Sequence, residues 1–204
     1  MERLWYVAYG SNLLLDRFRC YLAGGRPAGG NRTYPGCRDG SDPQAIVAME
    51  IVGTLYFAGR SRMWAGGTAF YDSRGNGLVA ARAYLITVAQ FSDVTAQEMR
   101  RAPGIDLDAT GMDANEYRAI GPGPYETVVG LGSREDLPMM AITAGDRVYQ
   151  TLASPSRSYL RSITAGLREA HGWSSARIGA YLAGVPGAAG CWTAEQVAQL
   201  ADER

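Results

Sequence analysis

The sequence predicts an α+β protein, in which a small mixed β-sheet or barrel is flanked by helices. Strand-like segments fill most of the chain, and helical patterns cluster in the C-terminal part, about 154–204. The strands are short and interrupted by glycine, and they do not alternate regularly with helices, which argues against a doubly wound parallel sheet. With 204 residues and 47% hydrophobic content, the chain fits a single domain over 1–204.

The first predicted elements are a strand and a helix. Leu4–Tyr9 is a short apolar strand, and Leu13–Ala23 has the apolar spacing of a helix that Gly24 ends. Residues 24–43 are rich in glycine, proline and polar side chains, which is typical of a loop. We expect this loop either to run over the surface or to line a pocket beside the first turn.

Three strands are predicted in the middle of the chain. Ile46–Phe57 has β-like character and is expected to bend or bulge at Gly53. Thr68–Tyr71 and Leu78–Ile86 are expected to be two strands, because Asp72–Gly77 between them is a strong turn signal.

A helix and a long loop follow these strands. Thr87–Arg101 has helical periodicity, with Thr87 and Gln90 as a capping box and Pro103-Gly104 as the stop. Residues 102–124 carry several glycine, proline and aspartate residues and are predicted to be a long loop, of a length often found in lids.

The rest of the chain is predicted to hold short strands and then helices. The strands are Glu126–Leu131, Met139–Thr143 and Val148–Leu152. The helices run from Ser154-Pro155-Ser156 to Gly172, over about Ser175–Leu182, and from Thr193, capped with Gln196, to the end.

Charged-residue usage excludes several classes of function. All twenty basic residues are arginine, and they balance twenty acidic residues, so the charge gives no support for nucleic-acid or membrane-surface binding. The absence of lysine excludes Schiff-base chemistry and a phosphate-loop lysine. The single histidine, His171, argues against histidine-rich zinc sites, including those of zinc-dependent hydrolases and deacetylases.

Cysteine usage indicates a reducing compartment. Cys20, Cys37 and Cys191 lack metal-ligand spacing, and their odd number does not suggest a disulfide framework. The chain shows neither a signal peptide nor an apolar run of membrane-spanning length, so we expect a cytoplasmic protein. We expect no metal and no cofactor. The oligomeric state is open, with a homodimer as one option.

The most informative motif is the turn after the first strand. Its sequence is Val7-Ala8-Tyr9-Gly10-Ser11-Asn12-Leu13. A strand that runs through such a turn into a helix directs several backbone N–H groups at one point, where they can hold an anion or carboxylate. Gly10 allows a ligand to approach the backbone, and Ser11 and Asn12 are favourable helix caps. An ordinary strand–turn–helix connection explains the same pattern.

Glu98 is the candidate catalytic carboxylate. It continues the apolar stripe of Phe91 and Val94 on the predicted helix, and a carboxylate facing the core is costly unless it is paired or functional. Burial would raise its pKa and suit it to exchange protons near neutral pH. The alternative is a partly exposed Glu98 paired with Arg101 or with the nearby Arg100.

Four stretches in matching order resemble the γ-glutamylcyclotransferase-like family. The turn at 7–13 resembles the family's N-terminal signature, and Tyr84–Glu98 resembles its strand and helix that end at a catalytic glutamate. Met63–Thr68 is similar to a small-residue turn and strand of the family, and Ser154–Tyr159 to its C-terminal Pro-Ser-x-x-Tyr segment. The resemblance spans about residues 5–182.

The resemblance implies an enzyme that needs no cofactor, a γ-glutamyl cyclotransferase. It would release 5-oxoproline and a free amine or amino acid from a small γ-glutamyl substrate. Glu98 would be the general acid and base. The substrate-binding residues would be Tyr9, Gly10, Ser11, Asn12, Leu13 and Tyr159. The loops 24–43 and 102–124, longer than a minimal fold needs, would face the amine side of the substrate, whose identity the sequence leaves open.

Two other functions are compatible with the sequence. One is a non-catalytic module that binds γ-glutamyl or other small carboxylate ligands through the same turn. The other is an enzyme that makes or cleaves amides with Cys37 as the nucleophile, for which His171 is the only imidazole available as a base.

Overall fold

The computed structural model describes residues 2–61, 63–108, 111–145 and 151–203. Within these residues six strands form one mixed sheet in the order β2-β3-β1-β6-β5-β4, in which β1 is antiparallel to β3 and parallel to β6. The strands are β1 Arg3–Ala8, β2 Ala45–Ala58, β3 Thr68–Thr87, β4 Tyr117–Ala119, β5 Thr127–Arg134 and β6 Leu137–Thr143.

Five α-helices accompany the sheet in the described part of the chain. They are α1 Leu15–Leu22, α2 Val88–Glu98, α3 Arg157–His171, α4 Ser175–Ala183 and α5 Ala194–Asp202. The predicted α+β class with a mixed sheet is confirmed. The sheet is open, not a closed barrel, because its edge strands β2 and β4 do not pair with each other. No helix among the described residues is long and apolar enough to cross a membrane.

Both faces of the sheet are covered, and β1 lies near its centre. Trp5 and Val7 point into the core beneath α3, α4 and α5, whereas Leu4, Tyr6 and Ala8 point into the core beneath α1 and α2. Side chains alternate between the two faces of a strand, so a strand buried on both sides is apolar throughout. This explains the unbroken apolar run of the first predicted strand.

The predicted caps hold for the helices after the first one. Thr87 with Gln90 and Thr193 with Gln196 form capping boxes, and Ser156 caps α3, which ends at Gly172 in the left-handed conformation. Each cap satisfies backbone groups that a helix end leaves unpaired.

The caps predicted for the first helix are wrong. Ser11–Leu13 form a short 3-10 turn, and α1 begins afterwards, with Leu14 as its N-cap and no side-chain capping bond. The side chain of Asn12 donates to Tyr6 and Glu98 and does not cap the helix. The second helix also ends early: α2 stops at Glu98, and Arg100 takes a left-handed conformation with φ of 60°.

The turn predicted at Asp72–Gly77 is not a hairpin. Both halves of β3 pair with the same partner strand, with Asp72 opposite Thr54 and Gly77 opposite Gly53, so the residues between them form a bulge in one long strand. The bend predicted at Gly53 is correct, since the register shifts there. A Cβ on Gly53 would lie 2.4 Å from the Tyr71 ring, so only glycine fits.

Two further predictions need adjustment. The loop predicted over 102–124 contains the short strand β4, which pairs with β5. The strand predicted over Val148–Leu152 lies mostly outside the described residues. Leu152 within it makes a single bridge to Ala58 at the end of β2.

Helix α3 packs directly against the turn that follows β1. A Cβ added to Gly166 would lie 2.6 Å from the Leu14 nitrogen and 2.6 Å from the Leu13 Cβ. The absence of a side chain therefore lets the helix backbone approach the turn. This close approach of the two backbones fixes the position of the turn relative to α3.

We predict that Gly166→Ala destabilises the fold by about 1–3 kcal/mol, because the added methyl overpacks this contact. This loss of stability is opposite to the effect of helix propensity alone, which favours alanine over glycine by about 1 kcal/mol. Denaturant unfolding of both proteins measures the difference. The neighbouring exposed position offers a control, Ala165→Leu, which should change stability little. A Gly166→Ala variant as stable as the parent would contradict this packing.

Candidate functional site

A cavity of about 640 Å³ lies beside the turn after β1 and the end of α2. A second void of about 30 Å³, close to the size of one water molecule, adjoins it at the turn. The two spaces share four lining residues, which are Ser11, Glu98, Tyr125 and Tyr159. Gly10 and Asn12 line the smaller void. The structure thus places the predicted turn and the predicted carboxylate on one continuous space.

The turn presents unpaired backbone donors to this space. Leu13 N–H donates to the Gly10 carbonyl at 3.0 Å, which closes the turn. Among the described residues, no acceptor is found for the amides of Gly10, Ser11 and Asn12. Free N–H groups at the start of a helical turn are suited to an anionic or carbonyl oxygen.

Glu98 is the last residue of α2 and faces the cavity. Phe91 and Val94, on the same side of the helix, are fully buried, whereas Glu98 is half-buried because the cavity opens in front of it. Burial raises the pKa of Glu98 above its ordinary value of 4.5. The charge of Arg17 and hydrogen bonding by Tyr21 and Asn12 act in the opposite direction but do not cancel this effect.

Asn12 links the turn to the carboxylate. Its Nδ2 donates to Glu98 Oε1 at 3.3 Å and to the Tyr6 hydroxyl at 3.1 Å. Its Oδ1 is buried and has no partner within the described residues. Buried polar atoms are rarely left unpaired, so this oxygen marks a position where a bound molecule would supply a donor.

Arg17 is a buried cation that the sequence analysis did not identify. Its Nη2 donates to the Tyr21 and Tyr34 hydroxyls at 3.1 and 2.9 Å, and its guanidinium lies over both rings. Nε and Nη1 have no partner within the described residues. The sequence pattern that could have identified Arg17 is an arginine four residues before a tyrosine on the core side of a helix.

Aromatic residues form the opposite wall. The Tyr159 hydroxyl accepts from the Ala69 amide at 3.1 Å, and its ring lies 5.2 Å from Trp64. Tyr125, which the sequence analysis also missed, donates its hydroxyl proton to the Ala69 carbonyl at 3.1 Å. Burial raises the pKa of Tyr159 to about 12, so its hydroxyl stays neutral. A Cβ on Gly10 would lie 3.2 Å from the Tyr159 oxygen.

Two of the predicted site residues hold the turn and offer little to the cavity. Tyr9 lines the small void, but its hydroxyl donates to the Ile142 carbonyl at 2.6 Å. Leu13 lines neither space, and its side chain is buried in the core. Of the two long loops, 24–43 contributes Asn31, Arg32 and Tyr34 to the cavity wall, and 102–124 contributes Pro124.

The geometry does not support Cys37 as a nucleophile. Burial raises the pKa of its thiol to about 12, and Sγ donates to the Tyr21 carbonyl at 3.3 Å. His171, the proposed base, contacts the Ala81 carbonyl and packs against Trp173. Among the described residues, no group of three histidine, cysteine or acidic side chains is arranged to hold a metal ion.

Comparison with solved structures identifies the fold. A γ-glutamyl cyclotransferase matches with a TM-score of 0.51 and 18% identity, over 83% of this chain and 81% of that one. An uncharacterized protein from Homo sapiens matches with a TM-score of 0.50 and 18% identity, over 84% and 82%. The chain therefore has the γ-glutamyl cyclotransferase fold. Identity at this level shows the fold alone.

A curated relative extends beyond this chain. The protein named Histone deacetylase 5 from Arabidopsis thaliana is 30% identical over 199 residues, a match that covers 88% of this chain and 30% of that protein. This chain thus spans about a third of its length. No family model matches the chain.

We predict that Glu98→Gln stabilises the protein at neutral pH. The pKa of Glu98 is higher in the folded state than in the unfolded state. The stability that this difference contributes is fully present at pH values below the unfolded-state pKa, and it is lost as the pH rises through the folded-state pKa. Glutamine resembles the protonated form, so the stability gap between variant and parent should close in acid. Urea unfolding of both proteins between pH 4 and 8 measures this difference in the free energy of unfolding. A difference that does not change with pH would contradict the prediction.

Proposed function

We propose that this chain, with its γ-glutamyl cyclotransferase fold, is a γ-glutamyl cyclotransferase. It would convert a γ-glutamyl compound into 5-oxoproline and a free amine or amino acid. The supporting observation is that Glu98, with its raised pKa, lies within hydrogen-bond distance of Asn12 in a turn with unpaired amides.

The turn would bind the γ-glutamyl unit. The unpaired amides of Gly10, Ser11 and Asn12 suit the oxygens of the substrate, either its α-carboxylate or its γ-carbonyl. Asn12 Oδ1, which lacks a donor, suits the α-ammonium group. The small void at the turn would hold this end of the substrate, and the larger cavity would hold the amine that leaves.

Glu98 would move two protons in turn from the α-nitrogen to the departing amine. Its ionised carboxylate takes a proton from the α-ammonium, and the free amine then attacks the γ-carbonyl carbon, which forms the carbon–nitrogen bond of the new ring. Glu98 gives this proton to the original amine as its bond to the carbon breaks. The carboxylate then takes the second proton from the ring nitrogen, which becomes the neutral N–H of 5-oxoproline, and passes it to the released amine, which leaves as an ammonium. Because the attack is intramolecular, holding the substrate folded supplies much of the rate. Amide donors at the carbonyl oxygen would stabilise the charge that develops on it.

The other candidates have less support. A non-catalytic binding module would use the same turn, but it does not require a half-buried carboxylate of raised pKa beside that turn. The activity in the name of the plant relative is not proposed for this chain, which covers only 30% of that protein. The only histidine of the sequence is His171, which packs away from the cavity.

We predict that Glu98→Gln abolishes 5-oxoproline release while the fold is kept, because glutamine cannot accept the proton. Mass spectrometry of 5-oxoproline after incubation with a panel of γ-glutamyl compounds measures it. The same assignment predicts that kcat/KM of the parent falls as the pH drops through the pKa of Glu98, above 4.5. Glu135→Gln, in the exposed β5–β6 turn, is the matched control. Full activity of Glu98→Gln would remove this residue from the mechanism.

We predict that Gly10→Val raises KM, because its side chain crowds the space where the substrate meets the turn. Gly10→Ala should have a smaller effect of the same sign, since its Cβ lies 3.2 Å from Ala69 Cβ and from the Tyr159 oxygen. Steady-state kinetics of the two variants, with unfolding curves to verify the fold, give the comparison. Unchanged KM in both would mean that the substrate binds elsewhere.

A further inference from the structure

The wall of the large cavity is strongly cationic. Four arginines line it, Arg17, Arg32, Arg60 and Arg100, and Glu98 is the one acidic residue of its described lining. The chain as a whole carries no net charge, so this is a local concentration of positive charge. A cavity lined by charges of one sign attracts ligands of the opposite sign.

Three of these guanidinium groups lack an acidic partner. Ten arginines in the described part of the chain form ion pairs with carboxylates. No carboxylate of the described residues is within ion-pair distance of Arg32, Arg60 or Arg100. Arg32 packs over the Tyr34 ring, and its charge acts on Glu98 without forming an ion pair with it. Arg3, Arg26 and Arg101 also lack a carboxylate partner among the described residues but lie outside the cavity lining, so what distinguishes the cavity is that three such arginines line one space.

Arg100 is also held in a costly backbone conformation. Its φ of 60° lies in the left-handed region, where glycine or asparagine at the end of a helix is the favourable choice. This conformation comes two residues after α2 ends at Glu98, and Arg100 is part of the cavity lining. A cation is thus placed in the same cavity lining as the carboxylate at a cost in backbone energy.

The charges indicate what the free arginines would face. A bound γ-glutamyl unit has no net charge, because its α-ammonium balances its α-carboxylate. Arg17 and Arg32 both lie close enough to Glu98 to lower its pKa, but the carboxylate offsets only one of the four positive charges of the lining. An excess of three positive charges therefore remains in the lining, and it would face the part of the substrate that leaves.

Resting on the proposed function, we propose that the leaving amine carries at least two negative charges. Carboxylates and phosphate share the chemistry that guanidinium groups recognise. The substrate class is then a γ-glutamyl conjugate of a dicarboxylic amino acid, of an acidic peptide or of a phosphorylated amine. A γ-glutamyl conjugate of a neutral amine would leave the three guanidinium groups without a counter-charge.

An isosteric series of substrates tests the preference. γ-Glutamyl-glutamate, γ-glutamyl-glutamine and γ-glutamyl-glutaminamide have leaving parts of nearly equal size with two, one and no carboxylates. We expect kcat/KM for 5-oxoproline release to fall along this series by roughly tenfold in total, and added salt to reduce the difference. γ-Glutamyl-phosphoethanolamine against γ-glutamyl-ethanolamine tests phosphate in the same way. Equal kcat/KM within both sets would overturn the proposal.

Variants assign the preference to the cavity. Arg32→Gln, Arg60→Gln and Arg100→Gln should each reduce the ratio of kcat/KM between the doubly charged and the neutral substrate. Arg3→Gln removes an equal charge from an exposed position outside the cavity lining and should leave the ratio unchanged. An unchanged ratio in all three cavity variants would overturn the proposal.

Binding to the Glu98→Gln variant separates this proposal from the proposed function. Calorimetric titration of that variant with the same series reports the charge preference without turnover. Tight binding of the doubly charged members alone supports the charge preference, whether or not the parent releases 5-oxoproline. Absence of 5-oxoproline release by the parent would reject only the proposed function. Equal binding of all members, or no binding of any, would reject the charge preference.

Discussion

The site depends on holding the Glu98 carboxylate at the turn that leaves β1, and the pairing of β1 with β3 achieves this. β3 ends at Thr87, opposite Arg3 at the start of β1, so α2 begins beside that end of the strand. The eleven residues of α2 span about 16 Å, and the six residues of β1 span about 20 Å. A helix of this length that packs along β1 brings its last residue to the turn.

Beside the turn, a buried arginine lies near the carboxylate. Arg17 is buried between two tyrosines, and its charge acts on Glu98. Two of its nitrogens have no hydrogen-bond partner within the described residues, and burial raises the pKa of Glu98. Buried charges and unpaired polar atoms cost stability, and proteins tend to concentrate such costs where they bind ligands. Elsewhere the described chain follows the ordinary pattern, with side-chain caps on the helices after α1, a sheet covered on both faces and ten arginines paired with acids.

Regular elements were largely predictable because they depend on local chemistry. The capping boxes at Thr87 and Thr193 and the glycine stop at Gly172 involve residues within one helical turn, so the sequence contains all the interacting partners. The hairpin expected at Asp72–Gly77 failed for the opposite reason. Those residues have turn chemistry, but the partner strand β2 runs past both halves of β3, and long-range pairing prevails over a local preference.

Composition and periodicity were enough to predict the α+β class, the order of most elements and a carboxylate on the inner face of a helix, because both depend on which residues are buried. The surroundings of that carboxylate follow from the folded chain. Asn12 contacts Glu98, which lies 86 positions later in the sequence, and Tyr125, Arg17 and Arg32 reach the same cavity from separate segments. Leu13, adjacent to Asn12 in sequence, packs into the core instead. Distances between remote segments follow from the packing of the whole chain, and no local pattern encodes them.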